Sequence, residues 1–236
     1  MRLVDMLPEK DEQAFITGKK KSGKSTLVRK MILELPDNEI IVVLDTKREW
    51  KVKPFMMLGN KRVHHLRFTN IRLVRSPGIY IYQSKYPHFY DAGITRILLS
   101  AYNRKNVTIV IHEVYHLCHG SNPVPALGQA IAQGRAHNLR LFLESQRPSN
   151  CPVMSYTDAD IFIEFLLQNP DDRKRMADNS GFPELAIPVE AKHDFWVAKN
   201  GWDNAKYIQN TREDDSEWDI FKMKSKKNDT RNTPTS

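Results

Sequence analysis

Short apolar runs rich in β-branched residues alternate with segments of helical period along most of the chain. Residues 14–17 (Ala-Phe-Ile-Thr) lead into residues 26–33 (Thr-Leu-Val-Arg-Lys-Met-Ile-Leu), a strand followed by a helix. After a turn at Pro36-Asp37-Asn38, residues 39–45 form a continuous, β-branched run, the signature of a strand buried on both faces. Residues 79–82, 107–111, 139–144 and 160–165 read as further strands. Helical spacing is expected over residues 91–102, with Asp91 as its cap, and over residues 125–136. A short helix starts at Asn169, with Pro170 at its first position. Residues 195–198 and 205–208 flank Asn200-Gly201 and predict a closing hairpin. Residues 51–78 show no period and are expected to be irregular. Repeated strand-then-helix units imply an α/β fold with a mostly parallel central sheet, helices on both faces and a C-terminal hairpin. No internal repeat interrupts this order.

Composition places the chain among globular proteins without narrowing it further. Its 236 residues are 40% hydrophobic and 27% charged, enough for one α/β domain with a good core. The expected organisation is one domain over residues 1–210 and a polar, disordered tail over 211–236. No apolar stretch approaches the ~20 residues of a membrane span, so no transmembrane segment is expected, and the N-terminus lacks a signal-peptide core. Cys118 and Cys151 make neither a disulfide framework nor a metal spacing and read as reduced intracellular thiols.

Charge changes the picture more. Between Thr46 and Ser76 stand Lys47, Arg48, Lys51, Lys53, Lys61, Arg62, Arg67, Arg72 and Arg75 against Glu49 alone. Nine minus one is the whole net charge of +8. Such a stretch is either a solvated surface or a patch for a polyanion, most simply the phosphate backbone of nucleic acid. No base-reading module accompanies it, so such contacts would carry little sequence information. The aromatic-basic stretch 80–90 reads as core plus loop, and residues 203–236, with seven basic and seven acidic side chains, are neutral.

The strongest chemical signal lies between the first strand and the first helix. Gly18-Lys19-Lys20-Lys21-Ser22-Gly23-Lys24-Ser25 matches the phosphate-binding loop G-x-x-x-x-G-K-[ST], in the strand–loop–helix context that the motif needs. Backbone N–H groups from Gly18 through Thr26 are placed to face the phosphates of a nucleotide. Lys24 reaches the β- and γ-phosphates, and the Ser25 hydroxyl binds Mg²⁺. ATP and Mg²⁺ are therefore the expected ligands. Because Lys24 already serves the phosphates, Lys19, Lys20 and Lys21 read as part of the general positive field.

Three strand tips narrow the class. They are Leu44-Asp45-Thr46-Lys47-Arg48-Glu49 after the second strand, Ile111-His112-Glu113 after the central strand, and Glu144-Ser145-Gln146-Arg147-Pro148-Ser149 after the next, preceded by Gly134-Arg135-Ala136. At these residues the chain resembles the FtsK/HerA superfamily of DNA-pumping P-loop ATPases over about residues 13–175. Among these it looks most like the genome-packaging ATPases of membrane-containing icosahedral viruses. The resemblance implies a RecA-like core, a homo-oligomeric ring (a hexamer in most of the family), double-stranded DNA as partner, and ATP hydrolysis coupled to DNA movement. It also implies a place in the host cytoplasm or at the packaging vertex of a virion, beside a capsid-vertex or membrane protein. Glu113 is then the expected base for the attacking water, and Gln146 the residue that senses the γ-phosphate or holds that water. Arg135 and Arg147 are the candidates for an arginine contributed across a subunit interface, Arg135 the preferred one, with Arg173 a third. Asp45 is expected to support the site or the sheet tip and not to be catalytic.

One position departs from that family. The first Walker B acid is His112 here, and neutral imidazole is a poor ligand for a hard cation that prefers oxygen. Glu113 could serve both metal and water, Asp45 could assist, or turnover could be weak. His112-Glu113-Val114-Tyr115-His116 also spells the zinc-protease pattern H-E-x-x-H, which works only on a helix; here His112 ends a strand, so packed histidines are expected. A small-molecule P-loop kinase, a conjugation or segregation motor, and a non-hydrolysing assembly protein are the other classes the motifs admit.

Overall fold

The computed structural model describes residues 2–50, 56–66, 76–84, 92–120 and 122–209. The first half comprises β1 (Gln13–Thr17), α1 (Lys24–Glu34), β2 (Ile40–Asp45), β3 (Met57–Leu58), β4 (Lys61–Leu66), β5 (Gly78–Tyr82) and α2 (Ala92–Arg104). It continues with β6 (Val107–His112), β7 (Cys118–His119), β8 (Asn122–Pro123), α3 (Pro125–Gln133) and β9 (Arg140–Ser145). The chain then forms α4 (Met154–Thr157), β10 (Ile161–Phe165), α5 (Pro170–Ser180), β11 (Phe195–Lys199) and β12 (Lys206–Ile208).

Ten strands make one sheet in the order β12-β11-β10-β1-β9-β6-β2-β5-β4-β3. Every pairing from β10 to β4 is parallel, whereas β3–β4, β10–β11 and β11–β12 are antiparallel. The expected closing hairpin is present as β11 and β12. Strand period then sorts each run onto two cores. Ala14, Ile16, Ile41, Val43, Val110 and Phe142 pack with Leu27, Val28 and Met31 of α1. Phe15, Val42, Ile109, Leu141 and Phe162 pack on the other face, with Ile94 and Leu98 of α2 and Leu127 of α3. This is the sheet with helices on both faces that the alternating pattern predicts. Among the described residues, no helix is long and apolar enough to cross a membrane.

One expectation is corrected. Residues 51–78 are not wholly irregular, because β3 and β4 lie there and β4 extends the parallel sheet against β5. The strand β4 was hidden because it opens on Lys61 and Arg62. Lys61 is nevertheless buried, its ammonium 3.0 Å from Asp37 and 3.1 Å from the Leu33 carbonyl. Of the basic stretch's described cations, three have partners within the fold, and Arg62 is exposed. Lys47 pairs with Glu113, Arg48 donates to the Ser84 carbonyl, and Lys61 is inside. Lys51, Lys53, Arg67, Arg72 and Arg75 lie outside the described residues, as do the Asp91 cap and the tail 211–236. The Asn169 cap is present: its Oδ1 accepts from the Asp171 N–H at 2.9 Å.

One buried carboxyl makes the stability of this sheet pH-dependent. Glu164 on β10 sits in register with Thr17, and neither its oxygens nor the Thr17 hydroxyl has a hydrogen-bond partner. Burial pushes the Glu164 carboxyl up to about 9, with the Arg173 charge offsetting only part of the effect. A carboxyl that is protonated when folded and ionised when unfolded contributes stability that is complete below its unfolded pKa. That stability is lost as pH rises through the folded value, by at most about 1.4 kcal/mol per unit. Glu164→Gln should therefore be more stable than wild type at pH 8, by a margin that shrinks towards pH 5. Urea unfolding at both pH values measures this; parallel profiles would contradict it.

Candidate functional site

The carboxyl ends of the parallel strands bring the sequence-distant motifs to one edge, where open α/β sheets place ligands. Because β9 lies between β1 and β6, the tip bearing Gln146 stands between the phosphate loop and Glu113. A pocket of about 300 Å³ opens there, lined by residues 20–26, Arg29, Lys47, Glu49, His112, Glu113, Glu144 and Gln146.

The loop itself depends on glycine at two places. Gly18 has φ +143°, and a Cβ there would stand 2.6 Å from the Phe165 Cβ; Gly23, at φ +109°, caps α1. The side chain of Lys24 is buried along the loop, its ammonium donating to the Gly18 carbonyl at 2.5 Å and the Lys19 carbonyl at 2.9 Å. Burial pulls its pKa down, while the carboxylates of Glu144 and Glu113 pull it back up. An ammonium held by its own loop carbonyls can exchange them for phosphate oxygens.

Glu113 follows β6 in a left-handed conformation (φ 60°, ψ 74°), which is strained for a residue with a side chain and turns its carboxylate back over the strand tips. That carboxylate is 1% exposed. One oxygen pairs with the Lys47 ammonium and accepts from Gln146 Nε2 at 2.7 Å. The other accepts from the Gln146 backbone N–H at 2.8 Å and the Ser145 hydroxyl at 3.3 Å. Burial is the largest single influence and would raise the pKa, but Lys47 and the Gln146 donors together outweigh it and hold Glu113 below the ordinary glutamate range. It is therefore an ionised, fixed acceptor at neutral pH.

Ser25, expected to face a metal, donates its hydroxyl to Glu144 Oε2 at 2.8 Å and lies 3.5 Å from His112 Nδ1. His112 is held from behind, since the Trp50 indole N–H donates to its Nε2 at 2.8 Å. Asp45 holds that tryptophan, accepting from the backbone N–H groups of Glu49 (3.1 Å) and Trp50 (2.9 Å) and from Gln83 at 2.7 Å. Asp45 thus supports the sheet tip, as expected, and is not the acid beside Ser25. Glu144 is that acid. It, Trp50 and Lys47 are the site residues which sequence reasoning assigned no role. For Glu144 the available signal was a carboxylate near the end of an otherwise apolar run.

The H-E-x-x-H pattern does not form a zinc site. His112 ends β6, whereas His116 lies on a 3₁₀ turn (Val114–Leu117) with its Nδ1 3.1 Å from the Thr46 hydroxyl. Among the described residues no group of three or more His, Cys, Asp or Glu could hold a metal.

The two arginines part company. Arg147, adjoining Gln146, is half exposed and its Nε lies 3.3 Å from Asp172. Arg135 is at the opposite, amino-terminal edge of the sheet, 2.6 Å from Asp160, where Gln13 begins β1. A cavity of about 360 Å³ there is lined by Asp11, Glu12, Asp158 and Asp160 as well as Arg135. Its acidic wall makes it unsuited to polyphosphate. The structure leaves Arg135 no route to the phosphate loop of its own chain. Its reading as an across-interface arginine requires a neighbour's loop at this edge.

No protein-family model matches the chain. It is 28% identical over 116 residues to the DNA packaging ATPase P9 of Enterobacteria phage PRD1, a match covering 49% of this chain and 46% of P9. The chain thus spans about half the length of that relative. Among solved structures it is similar to the genome packaging NTPase B204 of Sulfolobus turreted icosahedral virus 2 in complex with AMPPCP. The TM-score is 0.64 at 19% identity, over 85% of this chain and 98% of that one. A second similar structure is the pCW3 conjugation coupling protein TcpA with ATPγS, at TM-score 0.51 and 13% identity, over 88% of this chain and 62% of that one. The fold is that of RecA-like P-loop NTPases, as the strand tips implied, and the resemblance to viral packaging ATPases is borne out.

Proposed function

We propose that the chain is an ATPase that drives double-stranded DNA into a preformed viral capsid, working as a homo-oligomeric ring. The observation that carries this reading is the convergence of the Lys24 loop, Glu113 and Gln146 on one pocket, in a chain whose sequence matches a packaging ATPase. In this reading the loop N–H groups cradle the phosphates and Lys24 neutralises the β- and γ-oxygens. Glu113 orients the attacking water and accepts its proton. Gln146, donating to Glu113 through both its N–H and its amide, keeps that carboxylate aimed. Arg147, on the exposed side of the same tip, is the arginine best placed to reach a neighbouring subunit at this edge.

A bound Mg²⁺ also fits the site. Ser25 offers a hydroxyl beside a buried carboxylate, and a hard cation that shares phosphates and keeps several waters needs no all-protein cage. Mg²⁺ would neutralise charge on the β- and γ-phosphates. A capsid-vertex or membrane protein of the virion is the partner expected at the site of packaging.

The test is ATP hydrolysis with and without duplex DNA. A several-fold stimulation that weakens as salt rises is expected, since the contact would be to phosphate. Hydrolysis indifferent to any polynucleotide, with phosphate passed instead to a nucleoside, would replace this reading with a small-molecule kinase.

A further inference from the structure

The exchange of the Walker B acid for His112 leaves the question of what else bears negative charge beside Ser25. We infer that Glu144, from the neighbouring strand β9, supplies the carboxylate that holds a nucleotide-bound Mg²⁺ through its water shell, and that His112 positions it. This rests on the reading of the pocket as an ATP site.

Strand parity puts the two residues together. Val110 of β6 and Phe142 of β9 face α1, so His112 and Glu144, two residues further on, face the same way, towards Ser25 at the start of α1. Each is 2% exposed or less. Of the other carboxylates nearby, Glu113 is committed to Lys47, Ser145 and Gln146, Asp45 to the turn of Glu49 and Trp50, and Glu49, at the pocket's rim, is exposed. Glu144 alone meets the Ser25 hydroxyl, with Oε2 at 2.8 Å. Its Oε1 makes no hydrogen bond and is 3.4 Å from His112 Nδ1. A buried carboxylate with an unsatisfied oxygen is costly unless a donor or a cation meets it.

The donors around His112 fix its role. An indole N–H can only donate, so the Trp50 bond makes His112 Nε2 the acceptor, and the remaining ring proton is assigned to Nδ1. One nitrogen's lone pair is then spent on Trp50, and the other nitrogen carries hydrogen. Neither is left to bind a metal. Nδ1 instead lies 3.4 Å from Glu144 Oε1 and 3.5 Å from Ser25 Oγ, flanking the carboxylate as outer partners flank a metal site's acid. The Asp45–Trp50–His112–Glu144 chain thereby moves the acid of Walker B by one strand while keeping it on Ser25.

The experiment measures equilibrium binding of a fluorescent ATP analogue to the full chain, with and without Mg²⁺. The proteins are wild type, Glu144→Gln, His112→Asp and the double variant. Glutamine keeps an acceptor for Ser25 but loses the charge. Glu144→Gln should lose about tenfold or more of the tightening that Mg²⁺ gives, while metal-free affinity holds or rises, since a negative charge beside the phosphates is removed. The double variant, which returns the acid to position 112, should recover it. Full Mg²⁺ tightening in Glu144→Gln, an equal loss with and without metal, or no recovery in the double variant would overturn the assignment and leave the ATP site standing. A wild type that binds no nucleotide would overturn both.

Discussion

Lys24→Ala should remove ATP binding, by about 10²- to 10³-fold or to below detection, and turnover with it. The ammonium is buried in the loop, where it is the cation nearest the expected phosphates. Truncating one partner of a desolvated charge pair costs about 2–5 kcal/mol, most of it from the charge left without a counterpart. The neighbouring carboxylates sharpen the effect. Glu144 and Glu113 both act on Lys24, and without its charge they would face polyphosphate with two negative groups. Isothermal titration with ATP measures the loss. An unchanged melting temperature would show that the unpaired Gly18 and Lys19 carbonyls find water and the loop survives. Near-normal affinity in a folded variant would remove the basis for the nucleotide site.

The second large effect is expected at Glu113. Glutamine there should leave ATP bound and slow hydrolysis by about 10²- to 10⁴-fold, the range that a positioned general base contributes. The two effects separate because Glu113 touches Gln146, Ser145 and Lys47 and none of the loop that would hold the phosphates. Its carboxylate, held below the ordinary range, is ionised at any physiological pH, so loss of activity through protonation should appear only in acid. Single-turnover measurement after saturating ATP distinguishes slow chemistry from slow release. Unimpaired chemistry would move the base elsewhere, with Glu144 the next carboxylate in the pocket.

How much of this was legible beforehand follows from the range of each interaction. The phosphate loop, the Asn169 cap and the buried strands are local: a few consecutive residues decide them, through backbone conformation and the two-residue period. The expectation that residues 51–78 are irregular failed where a local reading had to fail. Lys61 can sit in a strand because Asp37 and the Leu33 carbonyl, from another part of the chain, neutralise it. Arg135 and Arg147 are both candidates by sequence, Arg135 the preferred one, because both lie close to the same strand. They lie before and after it, at its opposite ends, so strand direction separates them.

The sequence by itself determined that this chain folds as a parallel α/β sheet with a phosphate loop at the end of β1. Contiguous residues carry both the conformation and the chemistry of that loop. Only the tertiary structure decided which acid meets Ser25. Residues 25, 50, 112 and 144 are joined by the strand order β1-β9-β6-β2 and by the face on which each strand presents its last side chain. Neither property is written in any one segment. Both follow from how the strands pair once the two cores are buried.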